Sequence, residues 1–123
     1  MKRILIIEEN SSVRSNIIEL LTSEGYETFE AENGKIGITL AKKVHPNLII
    51  SDILLPEING YEVLLELQRD DSTASIPFIF LSALADIPNK NRSSREGKYY
   101  SLTKPYKTKD LLNVVNLKLN KRQ

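Results

Sequence analysis

The residues of this sequence whose types and spacing could do chemistry are the pair Glu8-Glu9, then Asp52, Ser82-Ala83 and Lys104-Pro105. Each stands at the end of a short apolar run. Ile4-Leu5-Ile6-Ile7 leads into the acidic pair, Leu48-Ile49-Ile50 into Ser51 and Asp52, and Phe78-Ile79-Phe80-Leu81 into Ser82; a weaker run, Tyr99 to Thr103, leads into Lys104. If those four ends meet, three carboxylates, a hydroxyl and an ammonium share one edge. Crowded carboxylates repel and raise one another's pKa unless a cation relieves them. A hard divalent ion such as Mg²⁺, which prefers carboxylate and backbone oxygen and keeps several waters, suits such a shallow site. Three carboxylates and one lysine carry a formal charge of −2. One Mg²⁺ brings this to zero, so that a phosphoryl group approaches without net repulsion.

The elements that must bring these residues together are readable. Continuous apolar runs of this length are the pattern of strands buried on both faces, and such strands need cover above and below. The cover lies between them: Val13, Ile17, Leu20 and Leu21, then Ile36, Leu40, Ala41 and Val44, recur at helical spacing, as do Tyr61, Leu64 and Leu65, and Leu111, Leu112, Val115 and Leu119. The first of these helices is expected to open after Ser11-Ser12 and close before Gly25. With a weaker strand at Thr28 to Ala31, the order is strand then helix, five times over. That order predicts an α/β fold, a parallel sheet with helices on both sides. The helix expected between Ile87 and Gly97 has no apolar stripe, so a short, frayed or mobile segment is expected there. In open parallel sheets the ligand crevice lies beyond the carboxyl ends of the strands, where the chemistry-bearing residues of this chain stand.

Composition bounds the answer further. At 123 residues, with 41% hydrophobic residues, one domain over 1–123 removes roughly two thirds of its unfolded surface from water and folds without staples. The absence of cysteine excludes a disulfide scaffold and a thiolate metal site. No run is long enough to span a bilayer. A cytoplasmic protein with no membrane contact is the expectation. The net charge of +1 hides an asymmetry: residues 1–87 hold 7 Lys and Arg against 14 Asp and Glu, and residues 88–123 hold 10 against 2. Such a split could attract different partners to different faces, or be unevenly dealt surface charge.

Four segments together carry a specific resemblance: Ile4 to Asn10, Asp52 to Gly60, Phe80 to Ala83, and Leu102 to Pro105. In residues and in spacing the chain resembles the receiver domains of two-component response regulators, chemotaxis receivers included. The resemblance implies a flavodoxin-like three-layer sandwich with a five-stranded parallel sheet in the order 2-1-3-4-5. It implies Asp52 as the phosphoacceptor, with the donor a histidine kinase or a histidine phosphotransfer protein. It implies Glu8, Glu9, Asp52 and the backbone carbonyl of Leu54 around Mg²⁺, with Mn²⁺ an acceptable substitute. Ser82, Ala83 and Lys104 would bind the phosphoryl group, and the Lys104-Pro105 bond resembles one that is usually cis in the family. Such a chain is an acceptor rather than an enzyme, with at most self-catalysed phosphorylation and dephosphorylation. It signals to an output protein or domain that the sequence does not name, and a homodimer is allowed.

The chain also departs from the family pattern. The second acidic position, usually aspartate, is Glu9, whose extra methylene predicts weaker Mg²⁺ binding or slower phosphorylation. Three residues before the motif lysine the usual aromatic is replaced by Ser101, and Gly97-Lys98 stands where Gly-Ala is frequent. The usual aromatic switch is therefore missing at its usual place. An alternative output is ordering of the Pro88 to Gly97 segment, with Lys90, Arg92, Arg95 and Lys98 forming a basic face. Glu9 and Ser101 favour a competing function, a pseudo-receiver that acts as a constitutive interaction module without phosphorylation, whereas the retained Asp52, Ser82 and Lys104 oppose it. A flavodoxin-like cofactor carrier is disfavoured, because Glu8 and Glu9 would repel a nucleotide phosphate. Leu54, two positions after Asp52, disfavours an Asp-x-Asp phosphatase as well, and without a helix-turn-helix unit or an aromatic sheet platform, direct nucleic-acid binding is not expected. His45, Tyr99, Tyr100 and Tyr106 read as surface or packing residues.

Overall fold

The computed structural model describes residues 1–83 and 99–120. Its strands are β1 (Arg3–Ile7), β2 (Glu27–Ala31), β3 (Leu48–Asp52), β4 (Phe78–Ala83) and β5 (Tyr99–Lys104). Its helices are α1 (Ser11–Ser23), α2 (Gly34–Val44), α3 (Gly60–Gln68) and α4 (Thr108–Asn120). All strand pairs are parallel and the sheet order is β2-β1-β3-β4-β5. The segment expected to be short, frayed or mobile, Ile87 to Gly97, and the basic face expected on it lie outside the described residues.

Alternation along the strands divides the core in two. Ile4, Ile6, Leu48, Ile50, Ile79 and Leu81 pack against Ile17 and Leu21 of α1 and Leu111, Val115 and Leu119 of α4. Leu5, Ile7, Ile49, Phe78 and Phe80 face the other way, onto Ala41 of α2 and Val63 and Leu67 of α3. Helices therefore cover both faces, and β1, β3 and β4 are buried along nearly their whole length. Among the described residues no helix is long and apolar enough to cross a membrane.

The differences from the sequence-based expectations have local causes. α1 opens at Ser11 rather than after Ser12, because the Asn10 side chain accepts from the Val13 N–H and supplies the cap. Asn33 and Asn59 cap α2 and α3 in the same way, from Ile36 and Glu62. Ile36 and Leu65, which fit helical stripes by spacing, are 41% and 59% exposed. α2 turns Ala41 inward as expected, and with it Gly34 and Gly37 rather than Ile36. At Gly37 the helix comes so close to β1 that a Cβ would collide with Ile7 Cδ1. α2 ends at His45, which is exposed, as expected, and sits in the left-handed region at φ 49° immediately before Pro46.

Candidate functional site

The register of the sheet brings the four strand ends to one edge. Ile7 pairs with Ser51, Asp52 with Leu81, Ser82 with Thr103, and Ala83 with Lys104. Glu8 is therefore next to the end of β3, and Lys104 lies one strand beyond Ser82. Lys104 Nζ donates to Asp52 Oδ2 at 3.3 Å, with side-chain exposures of 37% and 13%. The Lys104-Pro105 peptide is cis.

Glu8 is buried, at 5% exposure, although it is charged. Its Oε2 accepts from the Asn10 N–H at 3.0 Å, while Oε1 is buried without a hydrogen-bond partner. Burial pushes the Glu8 carboxyl above the ordinary glutamate range, and the Asp52 carboxyl, close enough to act both as a charge and through a hydrogen bond, adds to the rise. The Asn10 N–H and the Lys104 ammonium oppose it. Glu9, the other half of the acidic pair, is exposed on the loop. Among the described residues no three Asp, Glu or His side chains gather closely enough to hold an ion between them.

The β3–α3 connection is held against the acceptor. Leu54 is 62% exposed at the start of this loop. Gly60, the first residue of α3, donates its N–H to the Ile53 carbonyl at 2.8 Å. A Cβ at Gly60 would stand 2.5 Å from the Asp52 carbonyl oxygen, so the absence of a side chain there sets how closely α3 approaches the end of β3. Asn59 and Glu62 complete a reciprocal capping box over this turn.

Ser82 is fully buried and its Oγ is unpartnered, and the same holds for the Oγ of Ser101. Ser101 pairs with Phe80 across the sheet. Two residues earlier, Tyr99 packs edge-on against Phe80 with ring centroids 5.4 Å apart, and against Tyr61 at 6.3 Å. Sequence reading treated Tyr106 as packing, and it does pack on the α1/α4 core. Burial, then the charges of Glu8 and Asp52, push its phenol up. Arg14 was missed. The signal was a cation on the Arg14, Ile17, Leu21 stripe of α1, one turn beyond the acidic pair.

Residues 4–116 match the family described as response regulator receiver domain. The protein PilH of Pseudomonas aeruginosa is 31% identical over 116 residues, which cover 94% of this chain and 96% of that protein. The DNA-binding dual master transcriptional regulator RpaA of Synechocystis is 35% identical over 121 residues, 98% of this chain but 50% of RpaA. The chain thus spans nearly all of PilH and about half the length of several other curated relatives. Among solved structures, the signal receiver domain of a histidine kinase from Syntrophus aciditrophicus superposes with a TM-score of 0.87 at 31% identity, covering 100% of this chain and 93% of that one. The receiver domain of a sensor histidine kinase from Pseudomonas aeruginosa, solved with a magnesium ion coordinated in its active-site cleft, superposes at 0.80 with 25% identity and 94% coverage of both chains. The flavodoxin-like fold, the strand-end cluster and the match over residues 4–116 agree: this chain belongs to the response regulator receiver domain family.

Proposed function

We propose that Asp52 is the phosphoacceptor of a two-component phosphorelay, and that its donor is a histidine kinase or a histidine phosphotransfer protein. The observation that carries this reading is the environment of Asp52: a mostly buried carboxylate at a strand end, paired with Lys104 at 3.3 Å and crowded by the carboxyl of Glu8. An Asp52 oxygen attacks phosphorus, the P–N bond to the donor imidazole breaks, and an acyl phosphate forms. Such transfer asks chiefly for alignment and for charge stabilisation around the equatorial oxygens. Lys104 supplies positive charge, and the unpartnered Ser82 hydroxyl at the end of β4, next to Ala83, supplies a donor. Asp52 is consumed as an acceptor, so the chain is not an enzyme beyond its own phosphorylation and hydrolysis.

The residues fit a hard divalent ion. All the available donors are oxygen, and Glu8 Oε1 is a buried carboxylate oxygen with no partner. Glu8, Asp52 and the Leu54 carbonyl would hold Mg²⁺ or Mn²⁺, with Glu9 reaching in from the loop surface. When bound, the ion would neutralise the crowded carboxylates and the phosphoryl oxygens. The kinship with PilH and with receiver domains of histidine kinases supports a cytoplasmic signalling role, in which the acyl phosphate alters contacts with an output protein or domain.

Incubation with acetyl phosphate and Mg²⁺, followed by intact-mass measurement, tests the assignment. A single added phosphoryl group that is absent from Asp52→Asn is expected. A second reading, the pseudo-receiver, is favoured by the exposed Glu9 and by the lack of a three-carboxylate cluster among the described residues. It predicts no adduct under any Mg²⁺ concentration.

A further inference from the structure

The side chain of Arg14 is 15% exposed and its guanidinium is shared among three oxygens. Nε donates to Glu30 Oε1 at 2.7 Å, and Nη1 donates to the Glu8 carbonyl at 2.7 Å and, more weakly, to the Glu9 carbonyl at 3.5 Å. A cation on the buried stripe of a helix is costly unless it is paired and hydrogen-bonded. Glu30 of β2 supplies the charge, and the loop after β1 supplies the remaining acceptors.

The two carbonyls matter because they belong to the peptide groups on either side of the Glu9 Cα. Peptide groups are planar, so holding both planes sets the direction of the Cα–Cβ bond between them. The second of these groups is held from its other side as well, since its N–H, that of Asn10, donates to Glu8 Oε2 at 3.0 Å. Glu8 is anchored in turn by its own N–H on the Ala31 carbonyl at 3.0 Å. One arginine therefore ties α1, β2 and the acidic loop together and restrains the backbone under an exposed, long glutamate.

Resting on the phosphoacceptor reading above, we infer that Arg14 is a positioning residue for the acidic loop. Its planar fork holds the Glu8-Glu9 backbone in advance, so that the carboxylates take up Mg²⁺ without first having to order the loop. Lysine cannot reproduce this. An ammonium is a point charge on a flexible stem and does not present the guanidinium's rigid fork to a carboxylate and a carbonyl together.

The test titrates Mg²⁺ by calorimetry into the full chain, its Arg14→Gln variant and its Arg14→Lys variant, each checked for cooperative urea unfolding. Arg14→Gln is expected to weaken Mg²⁺ binding about tenfold, in line with losses of metal ligand support elsewhere, and Arg14→Lys about three- to fivefold. With acetyl phosphate, the half-saturating Mg²⁺ concentration should rise by the same factors while the rate at saturating Mg²⁺ stays within about twofold of the parent. Without metal, amide exchange at Asn10 should accelerate in both variants. If Arg14→Gln does not fold, Arg14→Lys decides. A folded Arg14→Lys that binds Mg²⁺ as tightly as the parent and protects the Asn10 amide equally overturns the role of Arg14 alone. A parent protein that binds no Mg²⁺ overturns the phosphoacceptor reading itself, and the role of Arg14 with it.

Discussion

Lys104 Nζ lies 3.3 Å from Asp52 Oδ2, joining the end of β5 to the end of β3 across the intervening strand β4. The lysine is more than one third exposed and the aspartate mostly buried, so the pair counts for more in chemistry than in stability. Lys104→Met is expected to lower labelling by acetyl phosphate by about a hundredfold, through loss of charge stabilisation around phosphorus. The same change should cost under about 1 kcal/mol of folding free energy, because solvent screens the pair. Labelling rates and urea midpoints of the same preparations check both expectations.

Glu8 makes a pH-dependent contribution whose sign follows from its raised pKa. A carboxyl whose folded pKa lies above its unfolded value of 4.5 favours the fold while it is protonated, and that advantage is lost as pH rises through the folded pKa. At neutral pH the buried charge therefore opposes folding. Glu8→Gln keeps an acceptor for the Asn10 N–H and removes the charge, so it should raise the Tm at pH 7.5, and the gain should vanish by about pH 4. Mg²⁺ at pH 7.5 should raise the Tm of the parent but not of Glu8→Gln. A parent Tm that is unaffected by Mg²⁺ would count against the metal site.

Gly60 is fixed by its closeness to the acceptor strand. An alanine Cβ would stand 2.5 Å from the Asp52 carbonyl and 3.1 Å from both Ile53 Cα and a Phe80 ring carbon. The nearest two of these atoms are backbone, so the helix has to shift. Gly60→Ala is expected to cost about 2 kcal/mol, as overpacking does elsewhere, and to slow phosphorylation even under conditions where the variant is fully folded. Chemical denaturation and labelling rates measure the two effects separately.

The three asparagine caps differ in what supports them. Asn10, Asn33 and Asn59 each accept one N–H, from Val13, Ile36 and Glu62; the Asn10 N–H is held by Glu8 from outside its helix, whereas the Asn59 N–H donates at 2.7 Å to Oε1 of Glu62, the same residue whose N–H it accepts. Asn10→Ala should cost about 1 kcal/mol. Asn59→Ala should cost somewhat more, because losing the bond that Asn59 Oδ1 accepts from the Glu62 N–H also loosens the Glu62 side chain that the Asn59 N–H donates to. Urea midpoints that rank the two in the opposite order would show that loop contacts outweigh the caps.

Glu9→Asp tests the departure from the family pattern. Shortening the side chain should strengthen Mg²⁺ binding several-fold, since Mg²⁺ demands near-ideal octahedral geometry. Equal affinity in the two proteins, measured by calorimetry, would show that the extra methylene is accommodated on the loop surface.

The sequence by itself determined the strands, the order of the four described helices, and which charged and hydroxyl side chains stand at the strand ends. Ile4-Leu5-Ile6-Ile7 and Phe78-Ile79-Phe80-Leu81 are apolar without interruption because both of their faces are covered, and burial of that kind leaves a mark on every position. The family resemblance then supplied the strand order. Tertiary structure alone decided which residues of the helical stripes are buried: Ile36 and Leu65 satisfy helical spacing and lie outside, whereas Gly37, which no apolar pattern marks, joins Ala41 in bringing α2 onto the sheet. It also decided that Glu8 is buried and Glu9 exposed, although the two are adjacent and chemically the same. Arg14 illustrates the limit best, because its three acceptors belong to β2 and to the loop after β1, and no local pattern names them. Spacing along the chain encodes which face a residue occupies, but the depth of that face and the partners met there depend on elements that pack against it from elsewhere in the sequence.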